Sequence, residues 1–174
     1  MIEVVITEQM KRRAWQKARK MGELKNSITG GDGNIAAFLG EEVANFIIGG
    51  TIDNTYDYDI IDKDGITYDV KTKRCTSEPK PEYECSVANF NTQQKCDRYI
   101  FVRIENVNGK WGRAWVLGYM PKEEYFEKAR KLKKGDRDGS NWFKVKSDCY
   151  NVAISELYPV EQKNAKRTRR ATKK

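Results

Sequence analysis

The stretch from Asp57 to Lys73, D-Y-D-I-I-D-K-D-G-I-T-Y-D-V-K-T-K, leaves the chain little conformational choice. Two β-prone runs, Tyr58 to Ile61 and Ile66 to Val70, flank Lys63-Asp64-Gly65. Glycine in the third loop position suits a three-residue hairpin, a type I turn closed by a left-handed residue. With Asp62 and Ile66 flanking that loop, Ile61 lies opposite Thr67, Ile60 opposite Tyr68, Asp59 opposite Asp69 and Asp57 opposite Lys71. Side chains alternate along a strand, so Tyr58, Ile60, Ile66, Tyr68 and Val70 read as a core face. The other face carries Asp57, Asp59, Asp69 and Lys71. Carboxylates directly across a ladder sit ~5 Å apart and repel. A hard divalent cation would turn that repulsion into chelation.

Composition narrows the chemistry. The chain of 174 residues has no histidine, which excludes His-based triads, His-metal enzymes and His general bases. Acid–base or metal chemistry must then rest on carboxylates, Lys, Tyr or Cys. The four cysteines, Cys75, Cys85, Cys96 and Cys149, form no Cys-x-x-Cys pair, so reduced, partly buried thiols are expected rather than structural zinc. The apolar fraction of 39% is low and the charged fraction of 33% high, but 11% aromatic residues argue for a real core and a single domain. No apolar run approaches the ~20 residues of a membrane helix and no signal-peptide pattern opens the chain, so a soluble, intracellular protein is expected.

Net charge is +8. Seven cations without an acid follow Gln162: Lys163, Lys166, Arg167, Arg169, Arg170, Lys173 and Lys174. Such a run reads as a disordered tail, either solubilising or binding phosphate without sequence preference.

Along the chain, Thr7 reads as the N-cap of a helix over about Glu8 to Lys25, with a narrow apolar stripe of Met10, Ala14, Trp15, Ala18, Met21 and Leu24. Its other side is basic (Lys11, Arg12, Arg13, Lys17, Arg19, Lys20), either a solvated face or a surface along a nucleic-acid backbone. Ser27 to Gly33 is a glycine-rich joint. Asn34 to Ile48 is apolar nearly all round and stopped by Gly49-Gly50, a buried helix. Glu41 and Glu42 both border apolar arcs of that helix, so at least one carboxylate is drawn inward and needs a partner. Ser77 to Glu84 is a polar, proline-containing excursion, and Cys85 to Ala88 a third strand. Asn89 to Gln94, with Gln93 and Gln94, is uncharged and polar, suited to a nucleic-acid groove or to a loop or short capped helix. Arg98 to Glu105 is the clearest strand, Arg113 to Tyr119 a fifth, and Pro121 opens a helix running to Leu132. Trp142 to Val145 and Asp148 to Val152 read as an added hairpin. The expected division is a basic N-terminal helix over 1–26, one domain over 27–160 and a basic tail over 161–174.

These elements resemble the PD-(D/E)xK nuclease superfamily, with its restriction-endonuclease-like fold. The residues that carry the likeness are Gly40-Glu41 (or Glu42) on a helix, Asp59 on a first strand, and Asp69-Val70-Lys71 on a second. The resemblance covers about 34–119; it departs at Tyr58, which stands where a proline commonly precedes the first Asp, and Asn91-Thr92-Gln93-Gln94 matches only loosely the polar residues some members place after the third strand. It implies an α/β fold with an αβββαβ core, a mixed central sheet flanked by helices. It further implies Mg²⁺ or Mn²⁺ held by Asp59, Asp69 and the Val70 carbonyl, with Glu41 or Glu42 completing or supporting the site. Lys71 would orient the attacking water, and Lys73 would touch the phosphate backbone. DNA is the expected partner and the cytoplasm the expected location, with a homodimer and a phage-encoded origin as open alternatives. Three functions follow: a metal-dependent DNA endonuclease of phage, repair or restriction type, a DNA-binding protein with a decayed site, or a basic RNA-binding accessory protein.

Overall fold

In the computed structural model, which describes residues 1–21, 32–138 and 144–161, the clearest strand predicted from sequence is also the structural centre. β6 (Arg98–Val107) has an unbroken buried run because protein covers both of its faces. Around it lies a six-stranded mixed sheet in the order β1 (Ile2–Val5), β7 (Lys110–Pro121), β6, β4 (Thr67–Cys75), β3 (Ile60–Ile61), β2 (Thr51–Ile52). β4 and β6 run parallel and every other neighbouring pair antiparallel. A second sheet of three antiparallel strands, in the order β5 (Glu84–Ala88), β9 (Cys149–Ala153), β8 (Arg130–Leu132), packs over part of the first. The protein is mixed α/β.

Period-two alternation splits the large sheet into two cores. Ile60, Tyr68, Val70, Ile100, Val102 and Ile104 pack beneath α1 (Glu8–Met21) and α2 (Asp32–Ile48). Tyr99, Phe101, Trp115 and Leu117 face the other way, toward the second sheet and α3 (Lys122–Lys128). Asp69, Lys71 and Lys73 share this second side. The hairpin forms as expected: Ile60 pairs with Tyr68, Ile61 with Thr67, and Gly65 closes the loop at φ 81°. Asp62 is a turn residue, but a buried one, accepting from the Asp64 and Ile66 amides and from the Tyr68 hydroxyl.

α2 approaches β4 closely at Gly40, where a Cβ would stand 1.8 Å from Thr72 Oγ1. It stops as expected at Gly49, whose φ of 72° ends the helix. In α1 the Met10 amide donates to Thr7 Oγ1, as the N-cap reading requires, and Met10 and Ala14 are buried. Trp15, by contrast, leaves the stripe and is 48% exposed.

Several expectations are corrected. The N-terminal segment is no separate helix, since β1 precedes α1 and joins the sheet along β7. Cys85–Ala88 is a strand, but it belongs to the second sheet, where β9 supplies the pairing. The helix from Pro121 ends at Lys128, and Arg130–Leu132 is β8. β9 pairs with β5 and β8, and Trp142 and Phe143 of the hairpin expected before it lie outside the described residues. β3 keeps only two of the four residues expected, and Tyr58 turns to the second core instead of lining up with Ile60. The cause is local: Thr55 Oγ1 accepts from the Asp57 and Tyr58 amides, folding the chain into a turn before the strand can extend. No helix among the described residues is long and apolar enough to cross a membrane. All four cysteines are unbridged.

Candidate active site

The end of β3 creates the site. Where the strand stops, the Asp59 side chain takes its place in the ladder: the Asp59 amide donates to the Tyr68 carbonyl (2.9 Å), and Asp59 Oδ2 accepts from the Val70 amide (2.7 Å). In a β-strand the N–H and C=O of one residue leave the same edge, so the Val70 carbonyl points to this edge too. Asp69 and Lys71 project from β4 on the second-core side, and the Asp59 carboxylate reaches Asp69 there. The two aspartates expected to oppose each other therefore do meet. Burial, the Asp69 charge and the Glu41 charge push the Asp59 carboxyl up to about 8, against the single opposing hydrogen bond from Val70.

Asp69 is 3% exposed, and its Oδ2 lies 2.6 Å from Lys71 Nζ. That contact lacks the angles of a hydrogen bond, which leaves the oxygen with unused acceptor capacity. Lys71 is held from three directions: by Asp69, by Gln94 Oε1 (3.0 Å) and by the Tyr99 ring, 5.6 Å from its ammonium. Gln94 is itself fixed, donating to the Tyr56 carbonyl and accepting through its own carbonyl from Lys122. Gln94, expected on a nucleic-acid groove or in a loop, accepts here from the Lys71 ammonium. Gln93 is exposed beside it.

The two helix glutamates part company. Glu41 is 5% exposed and accepts from Asn54 Nδ2 (2.5 Å) and Lys17 Nζ (3.3 Å). Its carboxyl is pushed up by burial, which outweighs these two partners, and it is close enough to raise Asp59 in turn. Glu42 pairs with Arg13 Nε at 2.7 Å and ties α1 to α2, away from the aspartates. Lys73 continues the Asp69–Lys71 face; desolvation in the cleft wall, and then the Arg103 charge, lower its pKa. Lys163, Lys166, Arg167, Arg169 and Arg170 lie outside the described residues.

This donor set fits a hard cation. Among the described residues no three carboxylate or thiol side chains converge closely enough to hold a metal by themselves. Asp59 and Asp69 with the Val70 carbonyl give three oxygens, two of them on carboxylates whose mutual repulsion a cation would relieve. Asn54 and Tyr99 are contributors that the sequence did not flag. Asn54 is an ordinary loop residue with no pattern around it, and Tyr99 reads only as part of an apolar strand.

Beside the site a cavity of about 570 Å³ opens between the two sheets, reaching from Val70 and Lys71 to β5 and β9. Its wall is braced by Arg103 Nη2 donating to the Glu84 carbonyl (2.9 Å) and by Asn151 Nδ2 donating to Glu84 Oε2 (2.6 Å). No family model matches this chain, and no curated protein matches it significantly, so the site's geometry carries the functional reading.

Proposed function

We propose that the chain is a metal-dependent endonuclease of PD-(D/E)xK type, hydrolysing phosphodiester bonds in DNA. The observation that carries this is the meeting of Asp59 and Asp69 at the end of β3, with Lys71 on the same side of β4. The order α2, β2, β3, β4, crossover, β6, with β4 and β6 parallel, supports a restriction-endonuclease-like core. The match is incomplete, because the crossover carries β5 and a 3₁₀ turn at Asn89–Asn91 where that core has its second helix.

Asp59, Asp69 and the Val70 carbonyl would hold Mg²⁺ or Mn²⁺, with Glu41 as a nearby support. When bound, the ion would supply a water of lowered pKa and neutralise the phosphate. The protein's own part is positioning and charge. Lys71, fixed by Gln94 and Tyr99, orients the attacking water and stabilises charge gathering on the phosphate oxygens. Lys73 meets the adjoining phosphate. The basic face of α1 and the cationic tail add affinity that falls with salt.

The test uses supercoiled plasmid DNA with Mg²⁺ and the variants Asp69→Ala and Lys71→Ala. Each loses cleavage by at least ~10²-fold while binding stays within a few fold. Undiminished cleavage in both variants overturns the site. Binding without cleavage in the parent protein favours a DNA-binding protein with a decayed site.

A further inference from the structure

The face of β4 that carries Asp69 and Lys71 does not end at the carboxylates. It runs on through Lys73 as one wall of the cavity between the sheets. Four cations, Lys71, Lys73, Arg103 and Lys146, line that cavity against two acids, Glu84 and Asp138. Lys71 pairs with Asp69 and Glu84 with Arg130, and the lining as a whole, four cations against two acids, has a positive formal balance. Behind the cations, Phe101 and Leu117 supply an apolar back. A cleft with lysines in its walls and an apolar rear suits a group that is anionic at one end and flat and apolar at the other.

Size limits that group. Small-molecule cavities run from ~300 to ~1,000 Å³, so about 570 Å³ takes a single nucleotide and not a base pair. The cleft is half open, and a base reaches its apolar back only by leaving the stack, as in enzymes that start from single strands or take the nucleotide out of the duplex. We propose that this cavity receives one unpaired nucleotide of the strand being cut, so that the substrate is DNA bearing a single-stranded segment, at an end or in a flap, in preference to continuous duplex. The phosphate of that nucleotide lies at Lys71 and Lys73, and its base sits between the sheets. The cleavage preference rests on the nuclease reading above, whereas occupation of the cavity does not.

The experiment uses the full chain and one fluorescent DNA sequence offered as single strand, as blunt duplex and as duplex with a single-stranded flap. Cleavage is followed with Mg²⁺, and binding by anisotropy in metal-free buffer. Single strand and flap are cut about tenfold faster than blunt duplex, the scale of one base–protein stacking contact. Ser86, which lines the cavity from β5, is replaced by Trp to fill the space, and Lys146→Glu reverses a charge on the exposed far wall without threatening the core. Both variants weaken binding of the single strand about tenfold in the absence of metal. Equal cleavage of all three substrates, with both variants binding like the parent, overturns the inference and leaves the nuclease reading standing. Binding that is lost in the variants, in a protein that cuts nothing, supports the cavity assignment and overturns the nuclease reading.

Discussion

Gly40→Ala is the sharpest probe of how α2 is set against the site. In an unobstructed helix interior, alanine in place of glycine gains about 1 kcal/mol. Here the new Cβ would stand 1.8 Å from Thr72 Oγ1, 2.9 Å from Thr72 Cβ and 3.0 Å from Thr72 Cγ2. Ordinary contact between such atoms is about 3.5–4.0 Å, so the helix must lift from β4 by more than about 1 Å. Overpacking of this kind costs about 1–3 kcal/mol, and its upper end applies because Thr72 Cβ is fixed to the strand backbone. The net expectation is destabilisation by about 1–2 kcal/mol after the gain in helix propensity. Thr72→Ala removes two of the three obstructing atoms, together with a buried hydroxyl that has no hydrogen-bond partner, so it recovers most but not all of the loss. Urea denaturation of the two single variants and the double variant measures the coupling. A Gly40→Ala protein more stable than its parent, or an equal loss in the Thr72→Ala background, refutes the close approach. Because Glu41 follows Gly40 directly, the same lift weakens the effect of Glu41 on Asp59.

Asp59 gives a prediction whose sign depends on pH. Its carboxyl is raised from an ordinary value near 3.8 to about 8, so the folded protein holds a proton that the unfolded chain releases. Stability from this group is complete below about pH 4 and is lost as pH rises toward about 8. At about 1.4 kcal/mol per pH unit the full displacement bounds the effect at about 6 kcal/mol, and the partial exposure of Asp59 reduces the expected value to about 2. Asp59→Asn should therefore stabilise the metal-free protein at about pH 8 and flatten its stability between pH 5 and 8; parallel curves for the two proteins count against the carboxylate pair. Gln94→Ala lowers the cleavage rate by about 10–100-fold with little change in DNA binding, because Lys71 loses its orienting partner. A change in binding alone would return Gln94 to a nucleic-acid contact. Deleting residues 162–174 removes seven cations and flattens the dependence of log affinity on log salt; an unchanged slope excludes the tail as a phosphate contact.

What the sequence disclosed followed the range of the interaction involved. The hairpin was legible because Gly65 and its flanking residues fix the register locally, and that register brings Asp59 to Asp69. The truncation of β3 was not, since a single hydroxyl, Thr55 Oγ1, redirects Tyr58 without altering any hydrophobic pattern. Helical geometry could not choose between Glu41 and Glu42, because both border apolar arcs and both end up buried. Their partners decide, and Arg13, Lys17 and Asn54 lie at sequence separations that no local pattern reports. Gln94 was flagged as polar, while its contact with Lys71 bridges 23 residues that no local pattern reports. β5 was legible as a strand, while its sheet depended on partners far along the chain.

That distance has a consequence for how the protein comes into being. Glu84 and Asn151, hydrogen-bonded across the second sheet, are 67 residues apart in sequence. During synthesis β5 leaves the ribosome with no strand to pair with, whereas α1, α2 and the strands β1 to β4, β6 and β7 can already assemble as one sheet. The aspartates and Lys71 all belong to this early unit, and the far wall of the cavity belongs to the late one. Amide exchange in the native protein should divide along the same line, with β5, β8 and β9 opening as one unit at lower free energy than β4 and β6. The chemistry of the site and its enclosure would thus have separate stabilities, and a substitution confined to β9 could open the enclosure while leaving the charged groups where they are.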